Sequence, residues 1–162
     1  MKLSALKSKI KSGEIDTVIV AFPDVFVRLV GKRFTGPFFL ENVAGHGTHG
    51  CNYLLTVNME MDPMEGFALA NWEKGFGDFE QRPDLESLRA IPWQPGAALV
   101  ICDLHHHDGK PVDEAPRSVL RRQVELLAKR KLTCFIASEL EFFLFHNTYH
   151  DAFQAEYRHL TP

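Results

Sequence analysis

Eight residues late in the chain, Ser138-Glu139-Leu140-Glu141-Phe142-Phe143-Leu144-Phe145, constrain it most. Two carboxylates sit two positions apart at the head of a run that is otherwise Leu and Phe. The composition predicts a strand over 133–145, in which side chains i and i+2 share a face. Glu139 and Glu141 would then project together with Phe143 and Phe145, leaving Leu140, Phe142 and Leu144 for the opposite face. A desolvated carboxylate needs a partner. Hard divalent ions such as Mg²⁺ or Mn²⁺ are natural partners for paired carboxylate oxygens. A strand whose first residues are simply wet accounts for the same residues, and the pattern alone leaves both readings open.

At 162 residues the chain fits one domain, or one small domain plus a piece of another. A net charge of −3 and scattered basic residues argue against nucleic acid as a partner. The densest basic group, Arg121, Arg122, Lys129, Arg130 and Lys131, falls on a predicted helix and reads as a solvated face. Cys51, Cys102 and Cys134 are odd in number and far apart, which fits a reducing compartment better than a disulfide framework. The Lys-rich start lacks the apolar core and cleavage site of a secretory signal. No apolar stretch approaches membrane-spanning length. A cytoplasmic protein with no membrane or nucleic-acid partner is the expectation.

Leu3, Leu6 and Ile10 recur at helical spacing over 2–12, with Gly13 as the cap. Ile15–Phe22 reads as a buried strand, Pro23-Asp24 as a turn, and Val25–Val30 as its hairpin partner. From Glu41 to about Arg82 the pattern fades. Gly45, Gly47 and Gly50 predict a loop, and Tyr53–Met59 a strand. Ala97–Leu104 is a strong strand signal, and Val119, Leu120, Val124, Leu127 and Ala128 predict a helix over 117–131. Several strands precede the first long helix, so an α+β arrangement is expected.

Other features read as structural. His46, His49 and Cys51 have a spacing that could seed a zinc site, but three ligands in a Gly-rich loop read better as a substrate-facing loop. His105, His106 and His107 read as exposed loop histidines. Cys102 and Cys134 read as small core residues on buried strands, and Asp103 as a cap for the next turn. Gly75-Phe76-Gly77 lacks the lysine and helix of a phosphate-binding loop.

Four stretches, in this order, resemble the N-terminal third of the glutamine synthetase family: DVFVRLVGK over 24–32, DFEQRPDLESLRAIPW over 78–93, CDLHHHDGKPVDEAPR over 102–117, and ASELEFFLF over 137–145. The resemblance implies a β-grasp-like N-terminal domain over 1–112 and the truncated beginning of the family's catalytic α/β domain over 113–162. It implies an ATP-dependent ligase that joins glutamate to ammonia or a small amine through γ-glutamyl phosphate, assembled as a homo-oligomeric ring. Glu139 and Glu141 would be ligands for Mg²⁺ or Mn²⁺. Asp78 would reach a neighbour's site and help bind or deprotonate the amine. The ATP pocket would lie beyond residue 162, so the chain alone is expected to be inactive.

One departure bears on the nucleophile. Ammonia-using members carry a D-G-S-S motif upstream of the segment that begins at Asp78, and Cys51–Asn71 contains none. That points toward the branch resembling γ-glutamyl-amine ligases, which use putrescine, ethanolamine or a related amine. The alternative is a non-catalytic, truncated β-grasp module that associates with a full-length relative.

Overall fold

The computed structural model describes all 162 residues. Helix α1 covers Leu3–Lys11, and Gly13, at φ 77°, closes it by donating its N–H to Ile10 O. Strands β1 (Thr17–Pro23) and β2 (Leu29–Thr35) form the expected antiparallel hairpin, with the second strand beginning four residues later than the pattern suggested. A short helical segment, α2 (Gly36–Phe38), continues into a wide turn over Phe39–Val43. Then come β3 (Thr48–Cys51), β4 (Asp78–Ala90), β5 (Ala97–His105), α3 (Pro116–Lys129) and α4 (Tyr149–Gln154). None of the helices is long and apolar enough to cross a membrane.

The five strands make one mixed sheet in the order β2-β1-β5-β4-β3. Only β1 and β5 run parallel, Thr17 opposite Ala97 through Ala21 opposite Ile101. Alternation along these central strands builds the core: Val18, Val20 and Phe22 from β1, and Ala98, Val100, Cys102 and Leu104 from β5, all face one way. Leu6 of α1, with Phe39 and Val43 of the turn after α2, covers that face. Phe22 meets Phe79 of β4 edge-to-face at 5.1 Å. That contact pins the start of β4, and truncating Phe79 would cost about 3–5 kcal/mol.

Strand β4 is the element the sequence pattern concealed. Its residues, DFEQRPDLESLRA, are rich in charge and contain a proline, both unfavourable in strands. Phe79, Gln81 and Leu88 nevertheless point inward, while Asp78, Arg82 and Glu86 stay exposed. Pro83 is tolerated because β3 pairs only with residues 78–81, so β4 is already an edge strand at that point. A register shift between Asp84 and Arg89 absorbs the rest of the irregularity. The strand expected over Tyr53–Met59 is instead a 3₁₀ turn, Asn52–Leu55, followed by loop.

The strand expected over 133–145 does not form. These residues are exposed and irregular, and their backbone takes part in no backbone hydrogen bond. Phe135 is 93% exposed, Leu140 89% and Phe143 87%. Apolar content supplies a face for a strand but not the partner that holds it, and no strand of this sheet pairs with the segment. Cys134 is consequently exposed rather than a core residue, whereas Cys102 is buried as anticipated. Desolvation pushes the Cys102 thiol up to about 12.

Candidate functional site: the Asp78 cleft

Asp78 opens β4 directly opposite Cys51, the last residue of β3. Around them lies a cleft of about 270 Å³, lined also by Lys32 of β2, His49 of β3, Tyr53 and Gln81. Its floor depends on close backbone approach. Gly47, at φ 73°, sits where a Cβ would stand 2.7 Å from Gln81 O, and a Cβ on Gly50 would strike the Gln81 side-chain amide. Asn52 holds the other end, because its N–H donates to Gly77 O at 2.8 Å and its Oδ1 accepts from Gly77 N–H at 3.1 Å. The residue before Asp78 is thereby fixed to the 3₁₀ turn. Tyr53 packs edge-to-face on Phe76 at 6.2 Å, and Phe76 on Trp72 at 5.2 Å, adding an aromatic wall beside the cleft.

The polar groups of the cleft are incompletely paired. The exposed Asp78 carboxylate makes no ion pair and accepts no hydrogen bond. Gln81 is 1% exposed; its Nε2 donates weakly to His49 O at 3.4 Å, and its Oε1 is buried without a partner. A buried acceptor left unpaired costs about 1–3 kcal/mol, so this strand carries an unmet demand for an N–H or O–H donor. Asp78 was legible in the sequence. Lys32, Tyr53 and Gln81 were not, and the only trace of Gln81 was its even spacing from Phe79.

The other charged residues of the motif stretches hold the fold. Arg117 of α3 donates its Nε to Asp103 at 2.8 Å and its Nη2 to Asp84 at 2.6 Å, and Arg121 adds a 2.6 Å bond to Asp103. Asp103 therefore anchors α3 rather than capping a turn. Arg121 and Arg122 lie on an exposed face, as expected, and pair there with Asp103 and Asp113. They line a second, polar cleft of about 340 Å³ between β5 and α3, where these cations are already neutralised. Asp24 plays a similar part at the β1–β2 turn, fully buried and bonded to Arg28.

Glu139 and Glu141 are both exposed on the irregular 133–145 segment. Two carboxylates have the donor chemistry of a hard divalent site. No third His, Cys, Asp or Glu converges with them in this structure. The rings of Phe143 and Phe145 do lie 6.5 Å apart, as i, i+2 side chains of an extended backbone should. His46 and Cys51 do not gather around His49; His49 instead meets Glu80 and His107. His105 ends β5 half-buried, and only His106 and His107 are exposed.

Comparison with known proteins gives these placements a context. Residues 113–161 match the family described as glutamine synthetase, catalytic domain. The gamma-glutamylethanolamide synthetase GlnA4 of Streptomyces coelicolor is 49% identical over 157 residues, covering 97% of this chain and 34% of that protein. The chain belongs to the glutamine synthetase family. A glutamate–isopropylamine ligase from a Pseudomonas species is 29% identical over 153 residues, covering 94% of this chain and 33% of its own length. The chain thus spans about a third of the length of these family members. A solved structure of GmaS with ADP superposes with a TM-score of 0.59 at 21% identity, over 77% of this chain and 26% of that one, and shares the fold.

Proposed function

We propose that this chain is the N-terminal portion of an ATP-dependent ligase that joins glutamate to a small amine, or to ammonia, by way of γ-glutamyl phosphate. Residues 1–112 would be its β-grasp domain and 113–162 the opening of its catalytic domain. The match to the catalytic-domain family from residue 113 onward supports that division. Relatives named for ethanolamine and isopropylamine products support an amine as nucleophile.

The observation that carries the reading is the Asp78 cleft. An exposed, unpaired carboxylate at the mouth of a cleft attracts an alkylammonium ion. The Tyr53 ring and Leu54 in the cleft lining suit an alkyl substituent better than bare ammonium. Asp78 would hold the alkylammonium ion and take one of its protons, freeing the lone pair with which nitrogen attacks the acyl phosphate of a neighbouring subunit in the ring and displaces phosphate. Glu139 and Glu141 are assigned to Mg²⁺ or Mn²⁺, with the remaining ligands and the ATP pocket contributed by residues outside this chain.

A second reading, a β-grasp module that assembles with a full-length relative without catalysing anything, draws support from the exposed apolar side chains between Leu132 and Phe145, which suit a protein contact. Coupled ADP release separates the two. The chain alone, and the same chain continued through a complete catalytic domain, would be assayed with ATP, Mg²⁺ and glutamate against ammonia, ethanolamine, putrescine and isopropylamine. Amine-dependent turnover in the longer form, with Asp78→Asn raising KM for the amine far more than for glutamate, supports the ligase. A folded longer form that releases no ADP with any amine overturns it.

A further inference from the structure

Strand register gathers three metal-ligating side chains that lie far apart in the sequence. His49 on β3 is directly opposite Glu80 on β4, and directly opposed residues of an antiparallel pair project on the same face. On its other side Glu80 is opposite His105, two positions before His107. The ligand atoms of His49, Glu80 and His107 all lie within 4.8 Å of one another. The two imidazole rings face each other at 5.8 Å between centroids, with planes 29° apart.

Arg82 is the one competitor for this carboxylate. It donates its Nε at 3.0 Å and its Nη2 at 2.6 Å, both to Oε2 of Glu80, which leaves Oε1 for another partner. Two imidazoles and one carboxylate make a three-ligand zinc set that keeps a fourth position open. Imidazole donors also disfavour Mg²⁺ and Ca²⁺, which prefer oxygen alone. Ligand atoms around a tetrahedral zinc stand roughly 3.3 Å apart. His49 and His107 are exposed and close that gap by side-chain rotation without disturbing the core.

We propose that His49, Glu80 and His107 form a binding site for a divalent transition-metal ion, Zn²⁺ by its donor chemistry. The ion would tie β3, β4 and the turn after β5 together. Because His49 also lines the Asp78 cleft, occupancy would fix one wall of that cleft. None of the three ligands belongs to the carboxylates assigned to the ligase reaction, so the site stands whether or not the ligase reading does.

The test is titration of the 162-residue chain with ZnCl₂ at neutral pH, followed by calorimetry, with Co²⁺ as a visible-absorbing substitute. One saturable ion per chain and a tetrahedral Co²⁺ spectrum are expected. His49→Ala and His107→Ala should each weaken binding about tenfold or more, while His106→Ala leaves it unchanged. All three positions are exposed, so circular dichroism should show each variant folded. Unchanged binding in His49→Ala would mean that the 105–107 histidine run holds metal adventitiously and would overturn the site. Absence of saturable binding by the unaltered chain overturns it equally.

Discussion

The guanidinium of Arg28 donates its Nε to Asp24 at 2.7 Å, inside a turn where the Asp24 carboxylate is wholly withdrawn from water. The other Asp24 oxygen accepts the N–H groups of Phe26 and Arg28, both at 2.9 Å. Arg28 also donates to Met59 O and Asn58 O. One ion pair thereby shapes the β1–β2 turn, with Val27 held at φ 65°, and ties it to the loop after the 3₁₀ turn. Asp24→Ala would strand these donors and should cost about 3 kcal/mol. Urea unfolding monitored by circular dichroism measures it, and a midpoint equal to that of the unaltered chain would refute the role.

Arg117 ties the 102–117 stretch, through Asp103, to the 78–93 stretch, through Asp84, so its removal should loosen α3 from the sheet. Arg117→Met is expected to cost about 2 kcal/mol. Arg117 and Asp84 should show a coupling energy on the order of 1 kcal/mol in a double-mutant cycle with Asp84→Asn. Strictly additive losses would show that the 2.6 Å contact contributes nothing of its own.

The way β4 and the 133–145 segment departed from their patterns shows what is local and what is not. Helices α1 and α3 and strands β1 and β5 carry their periodicity in adjacent residues, and each appears where that periodicity falls. Strand β4 is charged because most of its outward side chains meet water or each other; pairing with β5, and with β3 at its start, makes it a strand. Residues 133–145 have the reverse character, apolar enough for a strand and without a partner. Asp78 was visible through its motif. Gln81 and the His49–Glu80–His107 group depend on cross-strand register, which no single segment encodes.

Burial holds the His105 imidazole below the usual histidine value, with Arg82 adding to the effect, and its Nδ1 has no hydrogen-bond partner. At pH 8 the imidazole is neutral in both folded and unfolded chains, and nothing is lost. As pH falls through roughly 6.5 the unfolded chain takes up the proton first, which draws the equilibrium toward unfolding. Stability should therefore decline from about pH 7 to pH 5.5, and His105→Gln should flatten that slope. An identical slope in the variant would assign the pH dependence elsewhere.

The three thiols should separate by reactivity. Cys134 is exposed, Cys51 half-buried, and the Cys102 thiol is buried and pushed up to about 12. Iodoacetamide at pH 8 should label Cys134 first and leave Cys102 intact until denaturant is added. Labelling of Cys102 at the rate of Cys134, read by peptide mass spectrometry, would contradict the packing of β5.

The exposed apolar run from Leu132 to Phe145 should bind a hydrophobic dye and promote self-association of the 162-residue chain. Phe142→Ser with Phe143→Ser should reduce both without lowering the unfolding midpoint, because neither ring packs on the core. A lower midpoint in the double variant would mean that the segment is docked.

The parallel pairing of β1 with β5 also sets an order of events during synthesis. The hairpin of β1 and β2 is complete once residue 35 has left the ribosome, yet the inner edge of β1 finds its neighbour only when residues 97–101 emerge. At about 5–20 residues per second, that leaves Val18, Val20 and Phe22 without their sheet partner for several seconds. The nascent chain is most exposed to misassociation in that interval, which closes when β5 arrives beside β1 and gives β4 its partner.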